Sequence, residues 1–234
     1  MDVNLTSIIR GEVLQSGDVR RQDLPRLGGR IPEEHEDAIY FVESGYIKSI
    51  RTGRDGRQVI VGIAGPGELL CTHPSAGTNQ GASIEVLQDA IVYRIPQLTF
   101  LSYCEKYPQL WKLLWESSLN RQAKLEDKIS MLCLEDVAYR LLYYLGELAQ
   151  VFRLQPNPDE EYSIPISQSE LASYVGATRE TTSTTLNVLA RQGLLRLERR
   201  LVIVKSLRAL REALQRYATA GVSGRSAASA DGNG

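Results

Sequence analysis

The sequence predicts an α+β chain in three consecutive parts: an antiparallel β-roll, a long helix and a winged helix-turn-helix. Three observations carry this prediction. Residues 38 to 95 break into short apolar runs separated by turn residues, and residues 108 to 134 hold one unbroken helical pattern. Residues 167 to 195 read as two short helices about a tight turn at Gly176.

In the first part the strand-like runs are A-I-Y-F-V, Y-I-K-S-I-R, Q-V-I-V-G-I-A, S-I-E-V-L and A-I-V-Y-R-I. Between them lie E-S-G, T-G-R-D-G-R, G-P-G-E and L-Q-D, rich in the residues that turns require. R-D-G-R is a strong hairpin signal, because glycine takes the positive φ of a tight β-turn without strain. Short strands at such regular spacing predict a small antiparallel roll or barrel.

Helical pattern begins near Pro96 and is continuous from Pro108 to about Leu134. Within it Trp111, Trp115, Ser118, Gln122, Leu125, Ile129 and Leu132 recur at alternating steps of four and three, the seam of a two-stranded coiled coil. The same spacing suits an amphipathic helix buried on its own domain. A homodimer through residues 108–134 is the preferred reading. Ser118 and Gln122 interrupt the apolar seam, and polar residues at such positions fix register or touch a ligand.

Glu135 to Phe152 predicts a further helix, and Q-P-N-P-D-E-E-Y a turn-rich linker into a short strand, Tyr162 to Ile166. The helix-turn-helix follows, with Ser167 before its first helix and Thr178 placed to cap the second. L-L-R-L-E-R-R-L-V-I-V then reads as a hairpin wing, and Ser206 to Tyr217 as a closing helix. The end of the chain is low in complexity and predicts disorder. The expected parts are therefore 1–107, the roll; 108–134, the long helix; 135–217, the winged helix-turn-helix; and 218–234, a tail.

The bulk numbers set limits. The chain has 234 residues, 43% hydrophobic and 24% charged, ordinary for a globular protein. Its net charge of −1 hides an asymmetry: Ser163 to Tyr217 carries nine basic residues against four acidic, a net +5. Positive charge is thus gathered where the helix-turn-helix lies, as attraction to phosphate requires. The N-terminus lacks the basic lead and apolar run of a signal peptide, and no stretch is apolar enough to span a bilayer, so the expected location is the cytoplasm. Cys71, Cys104 and Cys133 do not make a disulfide framework, and Cys104 and Cys133 are expected as core thiols. Two histidines and no nucleophile motif leave no catalytic constellation, so no enzyme is expected.

A β-roll, a long helix and a winged helix-turn-helix in that order resemble the CRP/FNR superfamily of bacterial transcription regulators. The motifs that carry the resemblance are G-P-G-E-L at 65–69 and G-A-T-R-E-T-T-S-T-T-L at 176–186. The resemblance implies a homodimer that binds two-fold symmetric double-stranded DNA, works with RNA polymerase and holds its effector in the roll. Where cyclic-nucleotide-binding members carry an Arg, this chain has Gln80, which has no charge to neutralise a phosphate. Iron–sulfur members need four cysteines, and this chain has three. Cys71-Thr72-His73, directly after G-E-L-L, is similar to the haem-containing carbon monoxide sensors of the superfamily, the CooA type.

That resemblance implies non-covalent haem b, with Cys71 as ligand of the ferric and His73 of the ferrous iron. The opposite ligand it implies is the N-terminal amine of the second subunit, here that of Met1 or another group in its place. Residues two apart on an extended segment face one side, so Cys71 and His73 can address one cavity. A thiolate suits the more positive iron and a neutral imidazole the reduced one. The expected gas pocket is lined by Trp115, Ser118, Leu119 and Gln122, and the signal is carbon monoxide, another diatomic gas or a redox state. The alternative is a haem-free member that binds another small molecule or acts constitutively.

At the DNA, Arg179, Glu180, Ser183 and Thr184 form the expected groove face. The resemblance assigns Arg179 to a guanine edge and Glu180 to a cytosine amino group. Ser167 and Ser169 are expected phosphate contacts, with a plain N-cap as the equal alternative for Ser167.

Overall fold

The computed structural model describes residues 3–26, 28–31, 38–72, 82–152 and 161–230. Met1 and His73 lie outside these residues, as does Gln80. The chain forms two compact units, Met1–Asp127 and Lys128–Gly234.

The first unit begins with helix α1 (Val3–Gly11) and a single 3-10 turn, Val13–Gln15. Strands β1 (Arg20–Leu24), β2 (Arg30–Ile31), β3 (Ala38–Thr52), β4 (Gln58–Ala64), β5 (Leu69–Thr72) and β6 (Ala82–Pro96) form one antiparallel sheet. Its order is β1-β6-β3-β4, with β2 on β6 and β5 on β3. The sequence signals neither α1 nor β1 and β2, which are short and polar and take their register from β6.

Four of the expected strands are in fact two. A-I-Y-F-V and Y-I-K-S-I-R run together as β3, and S-I-E-V-L and A-I-V-Y-R-I as β6. The E-S-G and L-Q-D segments lie opposite one another where the β3–β6 register shifts, so the ribbon bends there and does not reverse. Gly45 takes φ +74°, and a Cβ at that position would stand 1.9 Å from the Asp89 carbonyl oxygen. Only glycine admits so close an approach of the two backbones. R-D-G-R does form the expected reversal between β3 and β4, with Gly56 at φ +78°.

Alternate residues of β3 feed two cores. Ala38, Tyr40 and Val42 pack with Leu70, Ala90 and Val92. Ile39 and Phe41 pack with Leu69 and Ile95 against Ile9 of α1 and Phe100 and Cys104 of helix α2 (Gln97–Lys106). Burial on both faces explains why this strand reads as an unbroken apolar run. Leu110 and Leu113, on the first turns of helix α3 (Gln109–Leu134), complete that second core.

The second unit takes the last turns of α3, then helix α4 (Val137–Val151), strand β7 (Tyr162–Ile164), helices α5 (Gln168–Val175) and α6 (Arg179–Arg191), strands β8 (Leu195–Glu198) and β9 (Leu201–Val204), and helix α7 (Leu207–Ala230). The three strands form an antiparallel sheet in the order β7-β9-β8. Asp136 caps α4 by accepting the Tyr139 N–H at 2.9 Å. Leu141, Leu145 and Leu148 of α4 are fully buried, and α4 packs on α7. The closing helix was expected to end at Tyr217, but α7 extends to Ala230, so most of the expected tail is helical. Alanine recurs through 218–230 and has the highest helix propensity, which outweighs the two glycines there. Among the described residues no helix is long and apolar enough to cross a membrane.

Candidate nucleic-acid interface and effector site

Two capped helices make the helix-turn-helix motif. Ser167 accepts the Glu170 N–H at 3.2 Å, and Glu170 accepts the Ser167 N–H at 2.9 Å, a complete capping box. The Ser167 hydroxyl also donates to Glu170 at 2.6 Å, so its role here is that of the N-cap. Gly176 ends α5 in the left-handed conformation, at φ +67°, and its N–H returns to the Ala172 carbonyl. Thr178 caps α6 by accepting the Thr181 N–H at 3.1 Å, as the sequence predicts.

Along α6 the buried residues are Thr182, Leu186 and Leu189, at steps of four and three. On the first turns of α6, Arg179, Glu180 and Thr184 are exposed and Ser183 is half-buried. Neither Arg179 nor Glu180 is held in an ion pair among the described residues. Ser169 is exposed on the first turn of α5. Three of the four predicted groove residues are thus open to solvent near a helix N-terminus, where backbone N–H groups and the helix dipole attract anions.

The end of α3 is fastened to this motif. Lys128, 7% exposed, donates to the Tyr174 carbonyl at 2.6 Å and lies over the Tyr174 and Tyr144 rings at 4.2 and 5.2 Å. Desolvation lowers its pKa to about 8, with Glu147 pulling the other way. The buried Arg140 guanidinium donates to the carbonyls of Leu132, Glu135 and Gly176 at 3.5, 3.2 and 3.3 Å. The sequence gives no sign of either cation's role, since a lone Lys or Arg in a helical pattern reads as a solvated residue.

In the first unit, β5 carries Leu69 into the helix-facing core and places Cys71 two residues on, opposite Ile39 of β3. Cys71 is solvent-exposed, and the surrounding protein still raises its thiol pKa by desolvation, with Arg121 of α3 acting to lower it. Arg121 was not anticipated as a neighbour of Cys71. It lies on the half-buried stripe of α3, not on the heptad seam.

The expected gas pocket is not enclosed within one chain. Trp115, Ser118, Leu119 and Gln122 are all exposed. Ser118 bonds the Leu114 carbonyl at 2.8 Å, and Gln122 bonds Glu126 at 2.9 Å. The helix buries a different stripe, through Leu110, Leu113 and Lys128, and leaves Trp111, Ile129 and Leu132 of the seam exposed as well. Cys104 is a buried core thiol as expected, but Cys133 is exposed because its position on α3 falls outside the buried stripe. No group of three or more His, Cys, Asp or Glu side chains comes together as a metal cage among the described residues.

Comparison with known proteins agrees with both units. The Crp-like helix-turn-helix domain matches residues 139–213, and the cyclic nucleotide-binding domain matches residues 32–107. This chain is a DNA-binding transcription regulator of the CRP/FNR family. The family is made up of regulators, not enzymes.

Among the relatives of this CRP/FNR regulator is a "CRP-like cAMP-activated global transcriptional regulator" of Mycobacterium tuberculosis, 29% identical over 188 residues, 78% of this chain and 82% of the relative. The nitrogen fixation regulation protein FixK of Bradyrhizobium diazoefficiens is 25% identical over 161 residues, 69% of this chain and 67% of FixK. Of solved structures, a CooA mutant from Carboxydothermus hydrogenoformans superposes with a TM-score of 0.72 at 21% identity, covering 92% of this chain and 97% of that one. FixK2 from Bradyrhizobium japonicum gives 0.68 at 22% identity, with 83% and 96% covered. At these identities the structural likenesses speak for the fold alone.

Proposed function

We propose that this regulator works as a homodimer whose β-roll unit binds non-covalent haem b and whose DNA affinity responds to carbon monoxide, another diatomic gas or a redox state. The observation that carries the haem reading is Cys71. It is a solvent-reachable thiol at the end of β5, followed two residues later by His73, with the Arg121 cation acting on it. The donor chemistry fits the group: Cys71 and His73 differ in the iron oxidation state they prefer, and the Arg121 cation offsets part of the desolvation that raises the Cys71 thiol pKa. Haem bound there would supply an iron able to take a diatomic gas. Cys71 and His73 would hold it, and Met1 remains the candidate for the opposite ligand.

For the dimer, the exposed seam of α3 provides the support. Trp111, Trp115, Leu119, Ile129 and Leu132 present a large apolar area to solvent in one chain, which a second copy would cover. Trp115, Ser118, Leu119 and Gln122 would line an effector pocket only with that second helix in place. Two α6 helices about 34 Å apart would then meet successive major grooves of a symmetric site. Arg179 and Glu180 would read base edges, Ser183 and Thr184 would complete the face, and Ser169 would sit at a phosphate beside the Ser167 cap. RNA polymerase is the expected further partner.

The test is the absorption spectrum of the protein expressed with haem precursor, recorded as isolated, after dithionite and after carbon monoxide. A Soret band that shifts on reduction and sharpens with the gas is the expected result, with that response lost in His73→Ala. A colourless protein that takes up no added haem would sink the haem reading. A second reading then stands, a haem-free regulator with another small-molecule effector. The match of residues 32–107 to the cyclic nucleotide-binding domain favours it, as does the desolvation that raises the Cys71 thiol pKa. On that reading Cys71→Ser leaves regulated DNA binding unchanged.

A further inference from the structure

The turn between α5 and α6 is held by side chains from outside it. Helix α5 ends at Val175, so the Tyr174 carbonyl is one of those that the helix itself leaves without an N–H partner. Lys128 of α3 fills that need, donating to the Tyr174 carbonyl at 2.6 Å. Two residues on, Arg140 of α4 donates to the Gly176 carbonyl at 3.3 Å. Leu132 of α3 packs under the same glycine, so close that a Cβ there would stand 2.5 Å from its Cδ2. Arg179, the first residue of α6, follows Gly176 by three residues.

The two cations differ in what their loss would leave. Arg140 also binds the Leu132 and Glu135 carbonyls, so it holds the corner between α3 and α4 as well. Lys128 holds the end of α5 alone, with its ammonium over the rings of Tyr174 and Tyr144, whose faces attract a cation. The buried ammonium is turned into the protein and not toward a phosphate. Removing it therefore loosens the α5 side of the turn, while Arg140, Leu132 and the Thr178 cap of α6 stay in place.

We propose that Lys128 is a positioning residue for base reading: by holding the Tyr174 carbonyl it fixes the end of α5, and with it the angle at which α6 presents Arg179 and Glu180. The proposal rests on the reading of bases by α6. Recognition contacts tolerate displacements of only about half an ångström, so the supports behind them decide how well one sequence is told from another. Attraction to phosphate is less demanding in geometry and carries no sequence information. Lys128 should therefore matter to specific binding and not to non-specific binding.

The experiment uses the full chain on two duplexes of equal length, one selected by the wild-type protein from a random pool and one of random sequence. Affinity is measured against salt for the wild type, Lys128→Met and Lys128→Arg, at a temperature where circular dichroism shows each folded. Lys128→Met is expected to bind the random duplex as the wild type does, with the same salt slope. It is expected to bind the selected duplex about tenfold more weakly, near the lower end of what one base contact is worth. Lys128→Arg is expected to recover most of that loss, since a guanidinium can donate to the same carbonyl and stack on the same rings. A merely structural role predicts a lower melting temperature with both affinities unchanged, and that result would overturn the proposal. Equal weakening on both duplexes, or an arginine variant no better than methionine, would overturn it too. Should Lys128→Met not fold, Lys128→Gln takes its place with the same expectations. A wild type that does not tell the two duplexes apart would overturn base reading by α6 itself, and this proposal with it.

Discussion

Replacing Lys128 by Met should remove a pH dependence that the wild type carries. The Lys128 ammonium is almost sealed from water, and its pKa is lowered to about 8 because desolvation outweighs the attraction of Glu147. The other groups facing it are neutral: the rings of Tyr144 and Tyr174, and the Tyr174 carbonyl that it caps at 2.6 Å. In the unfolded chain a lysine titrates near 10.4. Below pH 8 both states hold the proton and no slope arises. Between pH 8 and about 10 the unfolded chain holds a proton that the folded chain has lost, so stability rises with pH. Against the reference value of 10.5, the gain is about 2 kcal/mol by pH 9.5 and about 3 kcal/mol in full. Tyr174 is held above its ordinary value by burial, so tyrosine ionisation in the unfolded chain opposes the gain above pH 10 and marks the upper limit of the useful window. Urea unfolding of the full chain, followed by circular dichroism at pH 7.5, 8.5 and 9.5, measures the effect. Lys128→Met loses the hydrogen bond to Tyr174 and is expected to start from a different stability, so the slopes are compared and not the absolute values. Equal slopes for variant and wild type between pH 8 and 9.5 would refute the reasoning.

Gly176→Ala should destabilise the second unit by about 2 kcal/mol, since alanine is strained at φ +67° and its Cβ would stand 2.5 Å from the Leu132 Cδ2. Thermal unfolding measures it, and Gly176→Asn should lose less. Thr182→Val should raise stability by about 1 kcal/mol, because the fully buried Thr182 hydroxyl has no hydrogen-bond partner among the described residues and valine keeps its shape. A lowered melting temperature would contradict that. Arg140→Met should cost about 3 kcal/mol, as three carbonyls lose a charged donor, and hydrogen exchange should rise at the N-terminal amides of α4.

What was legible in the sequence was whatever local chemistry alone decides. The caps Ser167 and Thr178 and the left-handed Gly176 are set by residue type within a few positions, and all three stand where the sequence puts them. The same holds for the hairpin at R-D-G-R. Features that depend on a distant partner were not legible. E-S-G and L-Q-D read as two turns, because nothing local says that they will face each other across a bent ribbon. Strands β1 and β2 have too little apolar character to be seen without β6 beside them. Around Cys71 the sequence carries no sign of Arg121, whose closeness depends on how α3 packs on the roll unit.

The seam of α3 and its buried stripe have different consequences. A seam read at heptad spacing identifies what a second chain would cover, and in one chain it stays exposed. The contacts that tie the helix to the reading motif come from its last turns, and the seam residue Leu132 is among them. Lys128 grips the end of α5, Leu132 packs under Gly176, and the Leu132 carbonyl shares the Arg140 guanidinium with the Gly176 carbonyl. Each of these contacts meets the turn of the helix-turn-helix or the helix before it, and none meets the groove face of α6. A displacement of residues 128–134 is therefore transmitted to α5 and α6 as a rigid movement, because a packed and hydrogen-bonded block resists internal deformation. In the proposed dimer, pairing of the two α3 helices at this level would tie the placement of the two helix-turn-helix motifs to that pairing.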